Sequence, residues 1–236
     1  MSRPHQIVRV LNFYMDDSGT RHPDKKPSRP EGYGDFFALG GVLIQEEDES
    51  LARDLHAHFC DRWAIDCPLH SSEIRHKSKN FTWLGELDSP GRRHFMDDLE
   101  ALVLGVPVLG LACVVDRPGY NARYREKYGR QRWSLCRTAF CVSVERAAKY
   151  ADSIGRRLRV LPEECNPKED KKLAEYYRTL KSEGSPFDPD ASAGYRPLHA
   201  GDYSRILYAS GTARLKARFP ALRLGAPRVT IPPSCE

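Results

Sequence analysis

Apolar residues crowd Ile7 to Met15 and stop at Asp16-Asp17-Ser18-Gly19, the pattern of a buried strand that runs into a turn. Residues 20 to 35 carry Pro23, Pro27, Pro30, Gly32 and Gly34 among Lys and Arg side chains, which predicts a mobile loop. Phe36 to Ile44 reads as a second strand, paired with the first as a hairpin, and its Gly40-Gly41 predicts a bulge or a close backbone approach. Leu51, Leu55, Phe59 and Trp63 recur every four residues and predict an amphipathic helix over Glu46 to Ile65. Ser89-Pro90 supplies a cap and a first-turn proline for a helix carrying Phe95, Leu99 and Leu102. Val106 to Val115 is nearly all apolar, the pattern of a central strand covered on both faces, and it ends at Asp116.

Trp133, Cys136, Phe140, Val144 and Ala147 mark the buried face of a helix that stops near Gly155, and Arg157 to Pro162 is a short strand. Leu173, Tyr177 and Leu180 mark a helix from about Lys168 to Leu180. A loop from Glu183 to Pro197 leads to a last helix expected from about Leu198 to Arg218, with an extended tail from about residue 220. A hairpin followed by alternating helices and strands predicts one α/β domain over residues 1 to 236, a mixed β-sheet flanked by helices. Ligands of such sheets gather at strand ends.

Composition adds little to this picture: 40% hydrophobic and 29% charged residues suit an ordinary folded domain. The longest apolar run, Val103 to Val115, is broken by Gly105, Pro107 and Gly110 and is shorter than the roughly 20 residues a membrane helix needs. Without a signal-like apolar start either, a cytoplasmic protein with no membrane partner is expected. Seven cysteines at irregular spacing predict reduced thiols. His56, His58, Cys60, Cys67 and His70 crowd one stretch, but two histidines two apart diverge on a helix, so a structural zinc there is the weaker reading.

Charge does change the picture. The net charge of +5 favours polyanions, and Arg123, Arg125, Lys127, Arg130, Arg132 and Arg137 form one basic run. Arg156, Arg157 and Arg159 form a second, and Arg214, Lys216 and Arg218 a third. The acids matter because a hard divalent cation binds oxygen, and phosphodiester cleavage by two such ions needs several carboxylates at one spot. Candidates are Asp16 and Asp17 after the first strand, Glu73 in His70-Ser71-Ser72-Glu73-Ile74, Asp116, Glu163 and Glu164 after Val160, and Asp202.

In chain order these motifs resemble the bacterial and phage proteins of the domain-of-unknown-function 3800 family, which are similar to ribonuclease H-like nucleases. That family opens on Tyr-hydrophobic-Asp-Glu-Ser-Gly, here Tyr14-Met15-Asp16-Asp17-Ser18-Gly19, with Leu39-Gly40-Gly41-Val42 following; Asp17 replaces the usual Glu. His70-Ser71-Ser72-Glu73-Ile74 matches its His-x-x-Glu motif. Glu163 with Glu169-Asp170 fits its strand-ending Glu and acidic pair, although Cys165 stands where the family carries Arg. Leu198-His199-Ala200-Gly201-Asp202 aligns with its Leu-Gln-hydrophobic-Ala-Asp helix except at His199 and Gly201.

The resemblance implies a ribonuclease H-like fold and a nuclease holding two Mg²⁺ or Mn²⁺ ions. Asp16, Glu163 and Asp202 would be the metal ligands and Glu73 a fourth catalytic acid. Asp17 would support the ligands, with Asp116, Glu164, His70 and His199 in reserve. Arg123, Arg125, Lys127 and Arg130 would contact DNA or RNA, and a role in phage or mobile-element conflict would suit the family. The alternative is a non-catalytic nucleic-acid-binding or protein-interaction module of the same fold. Neither a Gly-x-Ser-x-Gly elbow nor a Gly-x-x-x-x-Gly-Lys loop is present, which argues against acyl transfer and nucleotide-phosphate chemistry.

Overall fold

Strand β1 (Val10–Ser18) lies at the centre of a five-stranded sheet of order β3-β2-β1-β4-β5. The computed structural model describes residues 9–24, 35–129 and 134–209. β1 pairs antiparallel with β2 (Phe36–Gln45), which pairs antiparallel with β3 (Val108–Asp116). On its other side β1 pairs in parallel with β4 (Arg157–Pro162), and β4 with the short β5 (Leu207–Tyr208). β1, β3 and β4 therefore all run the same way, and their C-terminal ends share one end of the sheet.

The pleat of β1 sorts its side chains between two faces. Leu11, Phe13 and Met15 join the main core with Phe140, Val144 and Ala147 of α5 (Leu135–Ser153) and Leu173 and Tyr177 of α6 (Pro167–Glu183). On the other face Tyr14 and Leu161 pack with Ala52 of α1 (Glu49–Arg62). A separate aromatic cluster joins α1, α2 (Ser71–His76) and α3 (Ser89–Gly105) through Phe59, Ile74, Phe81 and Phe95.

Three expectations change. β3 is an edge strand, with Val108, Leu109 and Val114 exposed. An apolar run records the absence of charge and not the number of neighbouring strands, so its pattern misplaced it. The α1 stripe also slips: Leu51 is exposed, and Glu49, Ala52, Phe59 and Cys60 are buried instead. Steps of four residues drift about 40° each around a helix of 100° per residue, so Leu51 and Trp63 cannot share one face.

Among the described residues the last helix is the single turn α7 (Ala200–Tyr203), after which Leu207 and Tyr208 pair with β4, because bonding to an open strand outcompetes a helix interrupted by Gly201; residues 210–218 of the expected helix lie outside the described residues. Gly40-Gly41 forms no bulge, and the expected close approach is there: a Cβ on Gly40 would lie 2.3 Å from the Leu111 carbonyl oxygen. The expected mobile loop lies outside the described residues over 25–34, while Arg21 and Asp35 at its roots are ion-paired. The predicted tail also lies outside the described residues.

Candidate active site

The parallel pairing of β1 with β4 brings Asp16 and Glu163 together. Met15 lies opposite Pro162, and the Glu163 N–H donates to the Met15 carbonyl at 2.7 Å. The next residue along each strand is thus an acid, and alternation places both on the α1 side, as it does Asn12, Tyr14, Arg159 and Leu161. Asp16 remains solvent-exposed at the strand end, yet its carboxyl is pushed up to about 6. Partial desolvation is the first cause and the negative charge of Glu163 the second. A side-chain hydrogen bond with Glu163 raises it further.

Asp16, Asp17, Arg21 and Glu163 line one hollow, floored by Met15, Leu39, Phe140 and Leu173. Asp17 points to the α5 side, where the Arg21 guanidinium grips it through two nitrogens and reaches Glu169 at 3.1 Å. Lys172 holds the other oxygen of Glu169 at 2.8 Å. Arg21 and Lys172 thus supply positive charge to Asp17 and Glu169 beside the Asp16–Glu163 pair. Arg21 was not singled out in the sequence; its proximity to Asp17 at four residues was the available signal.

Asp202 does not join this site. α6 starts beside Glu163, and its 17 residues carry the chain roughly 25 Å to the far end of the sheet. There Gly184 and Ser185 pack against α7, with the Ser185 N–H bonded to the Leu198 carbonyl at 2.8 Å. Asp202 accepts the His199 N–H at 2.9 Å, which closes the first turn of α7. The structure places Asp202 as a helix cap, with His199 beside it.

Asp116 is likewise a cap: it accepts the Gly119 N–H at 2.8 Å and starts α4 (Arg117–Tyr128). Glu73 is buried in α2 and does not line the hollow. One of its oxygens takes Lys79 Nζ at 3.0 Å and the other, Oε2, has no hydrogen-bond partner. His70 precedes α2 as its cap residue, and Glu164 is exposed beside Glu163. Cys165 is exposed near the α6 start, where its N–H bonds Asp170 at 3.0 Å.

The basic runs separate as well. Arg123, Arg125 and Lys127 are exposed on α4. Arg156 is bound by Glu47, and Arg159 by Glu46 at 2.7 Å, at the start of β4 and away from the acid pair. Arg130, Arg132, Arg214, Lys216 and Arg218 lie outside the described residues.

Two carboxylates at neighbouring strand ends offer the hard oxygen donors that a divalent cation prefers, so Asp16 and Glu163 fit such an ion. Among the described residues, no three His, Cys, Asp or Glu side chains are grouped to hold a metal. In the His56 to His70 stretch, His56 Nε2 lies 3.4 Å from Cys60 Sγ, a contact within one helix face.

No family model matches the chain, and no solved structure does. The chain is 34% identical over 196 residues to the "Uncharacterized protein y4pM" of Sinorhizobium fredii (strain NBRC 101917 / NGR234). That match covers 82% of this chain and 71% of the relative. With this identity maintained over most of both chains, the protein belongs to the same family as y4pM.

Proposed function

We propose that this protein is a divalent-cation-dependent nuclease with a ribonuclease H-like fold, akin to the domain-of-unknown-function 3800 proteins. The observation that carries the reading is the Asp16–Glu163 pair at the ends of adjacent parallel strands, with Asp16 pushed up to about 6. Desolvation and the Glu163 charge disfavour ionisation of Asp16, and a divalent cation between the two carboxylates would offset both. The antiparallel hairpin and third strand on one side of β1, with parallel strands on the other, support the fold reading.

Asp16 and Glu163 would be the ligands shared by Mg²⁺ or Mn²⁺ ions. Bound there, a cation supplies an activated water and neutralises charge on the leaving oxygen. The chain's own part is to fix two carboxylates on rigid strands. Arg21 meanwhile keeps Asp17 and Glu169 neutralised beside them. The exposed cations of α4 would bind the phosphates.

The test is cleavage of labelled single- and double-stranded DNA, RNA and hybrid with Mg²⁺, Mn²⁺ or chelator. Cleavage that needs a divalent ion and is lost in Asp16→Asn and Glu163→Gln is expected. Cleavage of none of these substrates under any ion, with nucleic acid still bound, would leave a binding module in place of an enzyme.

A further inference from the structure

We propose that α4 is a docking strip for single-stranded nucleic acid, with Tyr128 as the platform on which a base stacks. What the strand is delivered to rests on the nuclease reading; how it is held rests on α4 itself. Tyr120, Tyr124 and Tyr128 form a row along the helix, with ring centroids 4.9 and 6.1 Å apart. Burial falls along that row: Tyr120 is 9% exposed and packs in the main core, Tyr124 is half-buried, and Tyr128 is 47% exposed. The row climbs out of the core and ends in solvent, where a nucleobase would be its next member.

The charges are arranged around the same row. At about 100° per residue, Arg123 and Lys127 fall on one side of Tyr124 and Tyr128 and Arg125 on the other, while Glu126 falls on the opposite face of the helix. Lys127 Nζ lies over the Tyr128 ring, 5.1 Å from its centroid, and on binding it would yield that face to a base and turn to the neighbouring phosphate. These three cations form no ion pair among the described residues, unlike Arg156 and Arg159.

Cations alone bind a duplex and a single strand alike, because they read only phosphate. The exposed ring decides the class: bases of a duplex are covered on both faces by their neighbours, whereas a single strand offers a free face to an aromatic platform. The strip is also joined to the acid pair. α4 starts from the end of β3, at the same sheet end as Asp16 and Glu163. Asn121 donates to the Pro23 carbonyl at 2.6 Å and Arg117 to the His22 carbonyl at 2.9 Å, next to Arg21 in the hollow.

The experiment is fluorescence anisotropy of labelled single-stranded DNA, single-stranded RNA and the duplex of each sequence, with chelator present so that nothing is cut. Tighter binding of single-stranded DNA or RNA than of its own duplex is expected. Tyr128→Ala should weaken the single strand about tenfold and the duplex little, Tyr128→Phe should retain binding, and Lys127→Ala should weaken both alike. Melting curves of each variant confirm folding. Duplex binding as tight as single-strand binding, or a Tyr128→Ala variant that weakens both or neither, overturns the strip. Cleavage is read apart, with Mg²⁺ or Mn²⁺: its absence while Tyr128-dependent binding persists would overturn the nuclease and leave the strip standing.

Discussion

Two kinds of carboxylate occur in this molecule, and burial does not separate them. Glu49 and Glu145 are each only 3% exposed, yet both are surrounded by donors. Glu49 accepts from Asn12 and from Tyr14 at 2.6 Å; Glu145 accepts from Lys149, Ser185 and, at 2.8 Å, Tyr195. Asp16 is less buried, and what lies beside it is a second acid. The first kind ties α1 to β1, and the loop after α6 to α5. In the second kind, desolvation and a neighbouring negative charge disfavour ionisation of Asp16, the circumstance on which the proposed cation site rests.

Breaking the second kind should have the largest effect. Charge stabilisation by a bound ion is worth several kcal/mol, so Asp16→Asn or Glu163→Gln should lower divalent-dependent cleavage by about 100-fold or more in a steady-state assay. Without metal each variant should melt no lower than the parent, since one source of repulsion is gone.

Breaking the first kind should cost stability and leave the proposed cation site alone. Glu49→Ala strands the Asn12 and Tyr14 donors inside the fold and should lower unfolding free energy by about 3 kcal/mol in denaturant titration.

A third difference is in pH. Asp16 rises from its ordinary 3.8 to about 6 in the fold, so its protonated form is the favoured one there. The stability this contributes is complete below 3.8 and is lost as pH rises through about 6. Metal-free parent should therefore gain melting temperature on acidification through that window relative to Asp16→Asn. Cation binding should weaken over the same window, because proton and ion compete. The smallest effect belongs to Asp202→Ala, which loses one cap bond and should cost about 1 kcal/mol, with cleavage unchanged.

Legibility in the sequence followed locality. β1, β2, β4, α5 and α6 were readable because each carries its own apolar pattern, and some their own stop, such as Asp16-Asp17-Ser18-Gly19 after β1 or Gly155 after α5. Asp16 and Glu163 were readable for the same reason, each standing at a strand end. The cap bond of Asp202 was not legible because an acid in the first turn of a helix is the same symbol whether it caps or coordinates, and its distance along the fold from Asp16 depends on the length of α6. The exposed edge position of β3 and the pairing of Arg21 with Glu169, 148 residues away, are long-range outcomes that no local period encodes.

Titration with Mn²⁺, followed by the loss of the free-ion electron paramagnetic resonance signal, tests the central claim most directly, since it needs no substrate. Parent and Asp202→Ala protein should bind the ion alike, and Asp16→Asn and Glu163→Gln should bind it far more weakly. Equal binding by the parent, Asp16→Asn and Glu163→Gln, or no binding by the parent, would contradict the assignment of that pair as a cation site.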